Sequence, residues 1–241
     1  MKYSILMPYY KRPVQLKNTL ISFDNLYRDR NDYEIILIKD MKSSIQDKND
    51  IESVLNNFGN LNIKVISGTT EESFSPATNF NIGANMAIGE FLIITNPEGM
   101  HSANILEGLD EEFEKSKNVY IVCSCLSLPV DKIKTLEGKW YQHSVHRNSG
   151  CHFCSAISKD QYFKIGGFSD EFSAGIGYDD DDFRNKIEQA KISFVYRDDL
   201  LTLHIDHDKD PLDMNKFLRN TNLFNEKWGV NSFRAGQLPV I

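Results

Sequence analysis

The sequence predicts an α/β fold carried by a mainly parallel sheet. Two observations lead to it. Short apolar runs alternate with stretches of helical periodicity through the first half, and the connections are long enough to be crossover helices. The composition agrees, since 41% hydrophobic and 25% charged residues are globular values and argue against a mostly disordered chain.

The elements follow in order. Residues 3–7 form a strand, and Pro13 opens a helix carrying Leu16, Leu20 and Phe23. A second strand spans 33–38 and ends at Lys39-Asp40; an amphipathic stretch covers 51–58, and 62–66 is a third strand. Residues 77–88 are helical and 91–94 are a fourth strand. In such sheets ligands bind beyond the carboxyl ends of the strands, which directs attention to 8–12, Asp40, Gly68 and 96–98. In the second half, helices are expected at 105–115, 159–165, 179–190 and 212–228, with strands near 119–123, 153–157 and 193–196. No linker rich in Gly, Ser or Pro separates the halves, so one continuous domain is expected over 1–241. No repeat or low-complexity tract interrupts it.

Charge and cysteine content exclude several classes. With 27 Lys+Arg against 34 Asp+Glu the net charge is −7, which disfavours nucleic-acid binding, because a phosphate backbone is held by clustered cations. No apolar run approaches the ~18 residues of a membrane span. The opening Met1–Pro8 is too short an apolar stretch for a signal peptide, so a cytoplasmic protein is expected. Contact with the inner face of a membrane is left open. Cys123 with Cys125 and Cys151 with Cys154 make two close pairs, one pattern of structural zinc. The strand-like alternation of 122–126 favours buried free thiols instead.

Three motifs carry candidate chemistry. The densest is Gly166-Gly167-Phe168, followed by Gly175-Ile176-Gly177-Tyr178 and the acidic run Asp179, Asp180, Asp181 and Asp182. Four adjacent carboxylates repel one another unless something offsets the charge; the pattern of Phe183 and Ile187 puts them on the first turn of a helix, where the macrodipole favours anions. Successive helical side chains point about 100° apart, so the four cannot share one task. An acidic run alone is more often a solvated helix start, but the flanking glycines suggest a tight loop presenting it at a cleft. The second motif is His204-Ile205-Asp206-His207-Asp208, read as a loop whose imidazoles suit a divalent metal. The third is Thr95-Asn96-Pro97-Glu98-Gly99, directly after a strand, which is either a simple turn or a carboxylate placed for a metal.

Together these motifs resemble the inverting GT-A glycosyltransferases of the broad family-2 kind, with a carboxyl half similar to animal β4-galactosyltransferases and the galactosyltransferase module of chondroitin polymerases. The resemblance runs from about Ser4 to Asp210. Pro8-Tyr9-Tyr10-Lys11-Arg12 is similar to the opening stretch that lies against the nucleotide, and Asp40 to the acid that reads the uracil edge. The segment 75–84 resembles the helix before the metal strand. Asn96-Pro97-Glu98 stands at the D-x-D position, with a neutral amide and a glutamate in place of the usual aspartates. The acidic run is similar to a W-G-G-E-D-D-D loop in which Ile176 replaces the tryptophan. His207 falls on the family's metal-binding histidine and His204 where a further ligand is often found.

The resemblance implies a GT-A fold, with residues 1–99 binding the nucleotide-sugar, 100–210 binding the acceptor and 211–241 forming a helical tail. It implies Mn²⁺ or Mg²⁺ held by Glu98, His207 and His204, and a nucleotide site of Pro8, Tyr9, Arg12, Asp40 and Asn96. It further implies catalysis by Asp180 as general base with Asp179 and Asp181 on acceptor hydroxyls. The donor expected is a UDP-sugar, UDP-Gal or UDP-GalNAc before UDP-Glc, and the acceptor a glycan such as a surface polysaccharide. Two other readings compete. A sugar nucleotidyltransferase would carry a glycine-rich loop after the first strand, where this chain has none. A catalytically silent sugar- or nucleotide-binding domain that recruits a partner enzyme draws support from the Asn96/Glu98 departure.

Overall fold

A computed structural model describes residues 1–39, 45–69, 76–151, 153–208 and 211–238. The amino-terminal half is a series of strand–helix units: β1 (Tyr3–Tyr9), α1 (Pro13–Tyr27), β2 (Tyr33–Lys39), α2 (Ile45–Leu55), β3 (Ile63–Ser67), α3 (Pro76–Met86) and β4 (Phe91–Thr95). Then come β5 (Gly99–His101), α4 (Ile105–Lys115), β6 (Val119–Leu128), β7 (Lys139–Gln142), β8 (Cys154–Ser158), α5 (Lys159–Lys164), α6 (Asp179–Gln189), β9 (Ser193–Ile205) and α7 (Met214–Trp228).

The strands form one continuous sheet in the order β3-β2-β1-β4-β8-β6-β9-β5, with β7 paired to β6. β1 to β4 run parallel; β8 lies antiparallel between β4 and β6, and β9 runs parallel to β6. Helices cover both faces. Tyr3, Ile5, Met7 and Tyr9 project to one side against Leu16, Leu20 and Phe23 of α1, while Leu6, Ile36 and Ile38 project to the other against Ala77, Phe80 and Ala84 of α3. This period-2 division of β1 is what a strand buried on both faces requires.

The expected elements of the first half are present with shifted ends. Two strands of the second half are much longer than their periodicity suggested. β6 continues to Leu128 and β9 to Ile205, and their pairing shifts register at Cys123/Ser124, so that Asp198-Asp199-Leu200 bulges out. That charged bulge conceals the strand's continuation, and the His204 motif therefore lies at a strand end rather than in a loop. β5 and β7 carry too few residues to show a period. The four cysteines are free and buried, and among the described residues no three His, Cys, Asp or Glu side chains gather as a metal cage, which removes the zinc pattern. No helix of the described residues is long and apolar enough to cross a membrane.

Candidate active site

The third motif is placed by pairing. β5 lies antiparallel to β9 with Gly99 opposite His204, and the Ile205 amide donates to the Glu98 carbonyl (3.1 Å). Glu98 is thereby delivered beside the residues that follow β9. Helix α1 fixes the turn from behind: Thr19 Oγ1 donates to the Pro97 carbonyl (2.7 Å) and the His101 amide to Ser22 Oγ (3.1 Å). The Glu98 carboxylate is left with Oε1 3.5 Å from His207 Nε2 and 3.2 Å from Arg12 Nε.

These contacts close into a ring. His207 Nδ1 and Arg12 Nη2 both reach the Asp208 carbonyl, at 2.8 and 3.1 Å. A carbonyl only accepts, so Nδ1 carries a proton, and in the neutral ring the lone pair of His207 is the one on Nε2, facing Glu98. An imidazole oriented by a backbone carbonyl, with its other nitrogen toward a carboxylate, is the donor arrangement a divalent cation requires. The residues present fit such an ion as a two-ligand site open to further ligands. His204 lines the same cavity: its Nδ1 lies 3.2 Å from Ser127 Oγ, and its ring packs 5.1 Å from that of Tyr141 and 5.5 Å from that of His207.

The same residues line a cavity of about 310 Å³, together with Pro8, Tyr10, Pro76, Asn96 and Pro97. Pro8, Arg12 and Asn96 are therefore brought together with Glu98 and His207. Tyr9 is the exception. It is the last in-phase residue of β1 and its ring is buried in the core beneath α1, so Tyr10, the first residue past the strand, takes the wall position. Lys11 adopts a left-handed backbone (φ 49°), which turns the chain so that Arg12 precedes the first turn of α1 and faces the cavity. Asp40 lies outside the described residues.

The acidic run begins α6, as its periodicity predicts. Gly177 (φ 73°) and Tyr178 (φ 68°) make the left-handed turn into the helix. An aromatic ladder sets its position, with Phe80 5.1 Å from Phe168 and Phe168 4.2 Å from Phe183. Asn81 of α3 accepts from the Tyr162 hydroxyl and the Phe168 amide and so ties the Gly166-Gly167 turn to the donor half.

The four carboxylates divide their roles. Asp182 is fully buried, accepting from Ser169 Oγ (2.6 Å) and Trp228 Nε1 (2.8 Å) and pairing with Lys227 (2.8 Å). Asp181 accepts from the Ala235 amide (2.6 Å), and burial pushes its carboxyl up to about 6. Asp180 and Asp181 line a cavity of about 400 Å³ with Arg147, Cys151, Phe153, Tyr178, Phe217 and the segment 234–237. Asp179 sits half-buried on the same helical turn, beside this cavity rather than on its wall.

Phe153 joins the two regions. Thr95 Oγ1, at the end of β4, donates to its carbonyl (3.1 Å), its ring lies 6.3 Å from His204, and it also lines the Asp180 cavity. Phe153 on the wall of the Asp180 pocket thus packs against His204 on the wall of the Glu98 pocket. Trp140 and His146 stack on each other (5.6 Å) away from both pockets, while Tyr141 packs 5.3 Å from Phe153. Beside Gly150 (φ 66°) the space is filled by Arg184 Nε, 2.9 Å from where a Cβ would stand.

Sequence reasoning placed Tyr10 in the 8–12 stretch against the nucleotide and missed Phe153 and the 234–237 wall. Tyr10 was legible as the residue after an in-phase strand; the others carry no motif.

The Glu98 pocket lies at the carboxyl ends of parallel strands, where open α/β sheets bind their ligands. A family model described as glycosyl transferase family 2 matches residues 4–166, and the chain belongs to that family. A second model, described as the N-terminal domain of galactosyltransferase, matches residues 140–207. A search of curated protein sequences returns no relative. Among solved structures, GalNAc-T7 with UDP, GalNAc and Mn²⁺ superposes with a TM-score of 0.70 at 15% identity, over 94% of this chain and 48% of that one. A mannosyltransferase from Pyrobaculum calidifontis, in complex with GDP-Man and Mn²⁺, gives 0.63 at 13% identity, over 95% and 70%. S. aureus TarS gives 0.66 at 14% identity, over 95% of this chain and 44% of that one. The chain thus spans less than half the length of GalNAc-T7 and TarS. The fold is GT-A, and within this glycosyltransferase family the stretch 140–207 is similar to galactosyltransferases.

Proposed function

We propose that this glycosyltransferase moves a hexose, Gal or GalNAc, from a UDP-sugar to a glycan hydroxyl with inversion, using Mn²⁺ or Mg²⁺. The single observation that carries this reading is the facing pair of Glu98 Oε1 and His207 Nε2, 3.5 Å apart on the wall of the Pro8–Asn96 pocket. The match to the galactosyltransferase model over 140–207, which ends on His207, supports the sugar class. A TarS fragment described with UDP-GlcNAc, and the UDP of GalNAc-T7, support a uridine donor, while the GDP-Man of the mannosyltransferase leaves the base to this chain's own residues.

In this reading residues 1–99 hold the donor, 100–210 the acceptor, and Tyr10 and Asn96 flank the nucleotide. Glu98 and His207 hold the cation, which when bound supplies Lewis-acid stabilisation to the departing diphosphate. Arg12, 3.2 Å from Glu98, exchanges that partner for a phosphate oxygen, which its planar fork suits. In the cavity that Phe153 also lines, Asp180 takes the proton of the acceptor hydroxyl as it attacks, a contribution of roughly 10²–10⁴ in rate. Asp179 orients the acceptor, and Asp181, held by the Ala235 amide, fixes the wall of the same cavity.

The test is UDP release from UDP-Gal, UDP-GalNAc and UDP-Glc with Mn²⁺, with and without chelator. Metal-dependent release with the first two supports the proposal. UDP binding with no release from any donor supports instead a catalytically silent domain, which the Arg12–Glu98 pair and the neutral Asn96 favour.

A further inference from the structure

Two histidines, His204 and His207, stand on the wall of the Glu98 cavity. The Asp208 carbonyl turns His207 so that Nε2 faces Glu98. For His204 the corresponding partner is a side chain, and strand pairing places it. β9 runs parallel to β6 with His204 opposite Ser127, and the Asp206 amide prolongs the pairing by donating to the Leu128 carbonyl (3.0 Å). Residues two apart on an extended chain project to the same side, so His204 and Asp206 share one. Ser127 Oγ reaches both, 2.8 Å from Asp206 Oδ1 and 3.2 Å from His204 Nδ1.

A serine hydroxyl has one proton and two lone pairs, whereas a carboxylate only accepts. The shorter contact runs to the charged acceptor, which is the stronger one and takes the proton. Ser127 therefore offers His204 a lone pair, and Nδ1 is the nitrogen that donates. In the neutral ring the electron pair of His204 is then on Nε2, as it is in His207. Two unrelated acceptors, a backbone carbonyl and a serine held by an aspartate, select the same tautomer. Ser127 and Asp206 themselves line a neighbouring cavity of about 540 Å³, which also reaches His207. Their route to the Glu98 cavity is the His204 ring.

We infer that Asp206 and Ser127 are positioning residues of the proposed cation site: they hold His204 as the Nδ1–H tautomer, so that its ring offers the cavity an electron pair rather than an N–H. The inference rests on the reading of Glu98 and His207 as the cation's ligands, and it gives Asp206 and Ser127 the task of setting the sign that this wall presents. The opposite tautomer turns the positive end of an N–H toward a cation and opposes its binding. Outer partners that orient a histidine in this way are worth about 10- to 100-fold in metal affinity.

The first measurement needs neither metal nor substrate. Nitrogen-15 NMR of the full chain labelled at histidine, at a pH where the rings are neutral, reports which nitrogen carries each proton. His204, assigned by the signal lost in His204→Gln, is expected in the Nδ1–H form. Asp206→Ala removes an exposed side chain and frees the Ser127 proton for Nδ1, which moves His204 to the Nε2–H form. Asp206→Asn keeps an acceptor oxygen and with it the parent tautomer. A parent His204 in the Nε2–H form, or a tautomer indifferent to Asp206→Ala, overturns the inference. Mn²⁺ binding in the presence of UDP is then followed by electron paramagnetic resonance of the free ion. Asp206→Ala is expected to raise the dissociation constant by about 10- to 100-fold. Asp206→Asn removes the same charge but keeps the tautomer, and should stay close to the parent. Equal losses in the two variants, or no loss in either, overturn the positioning role. If the parent with UDP binds no Mn²⁺ at all, the cation site of Glu98 and His207 fails and takes that role with it, while the NMR result is unaffected.

Discussion

Glu98 and His207 are joined by strand register: Gly99 pairs with His204, and this sets the Glu98 carboxylate 3.5 Å from His207 Nε2. The Nδ1 proton of His207 is committed to the Asp208 carbonyl, which leaves Nε2 as the nitrogen that faces Glu98 beside the Arg12 cation. A carboxylate and an imidazole lone pair in that relation need a positive charge between or beside them.

Removing either ligand therefore weakens metal use. Glu98→Gln and His207→Gln are each expected to raise the Mn²⁺ concentration for half-maximal UDP release by at least roughly 10- to 100-fold. A metal titration of each variant checks this, and an unchanged midpoint assigns the two residues to structure alone.

The proposed base is tested through Asp180. Asp180→Asn should lower kcat by about 10²–10⁴ while UDP affinity stays within a fewfold of the parent. Steady-state kinetics together with calorimetric UDP titration separate the two quantities. Unreduced turnover removes Asp180 from the mechanism.

Asp182 holds α7 rather than substrate. Its fully buried carboxylate pairs with Lys227 and Trp228 Nε1, so Asp182→Ala leaves polar groups facing a void. Breaking a buried pair from one side costs about 3–5 kcal/mol, which in a chain of this size lowers the melting temperature by roughly 6–20 °C. Scanning calorimetry measures it; a change within a degree or two contradicts the assignment.

The pH dependence of stability reports Asp181. Burial raises its carboxyl from 3.8 to about 6. Between those values the folded chain keeps a proton that the unfolded chain releases, so its contribution to stability falls as pH rises across that window and stays lost above it. Asp181→Asn, which retains an oxygen for the Ala235 amide, should flatten that stretch of the melting-temperature profile. It should also melt a few degrees higher than the parent at pH 7. Parallel profiles for the two proteins refute the assignment.

Much of this was written in local pattern. The in-phase apolar residues of β1 and the Phe183–Ile187 spacing of α6 fixed those elements because each buries one stripe against a helix or sheet. Glu98, His207 and Asp180 were legible because charged residues follow strands or glycines, where apolar packing does not explain them. Tyr9 was misjudged because β1 runs two residues further than its first five suggest, carrying that ring into the core. The continuation of β9 was hidden by the Asp198-Asp199-Leu200 bulge, whose carboxylates are answered by Ser144 and by Arg197, itself paired with Glu111 and Glu112 of α4. The wall formed by Arg234 and Ala235 had no local signature at all. It exists only through contacts with Asp181 and Arg147 that the chain makes after folding.

The most direct measurement is a crystal structure of the chain grown with UDP and Mn²⁺, with the metal located by its anomalous signal. The account predicts one manganese ion bound by Glu98 and by His207 Nε2, completed by diphosphate oxygens, with Arg12 drawn off Glu98. Manganese bound elsewhere, or UDP seated in the pocket with the Arg12–Glu98 pair intact and no metal beside it, would contradict it.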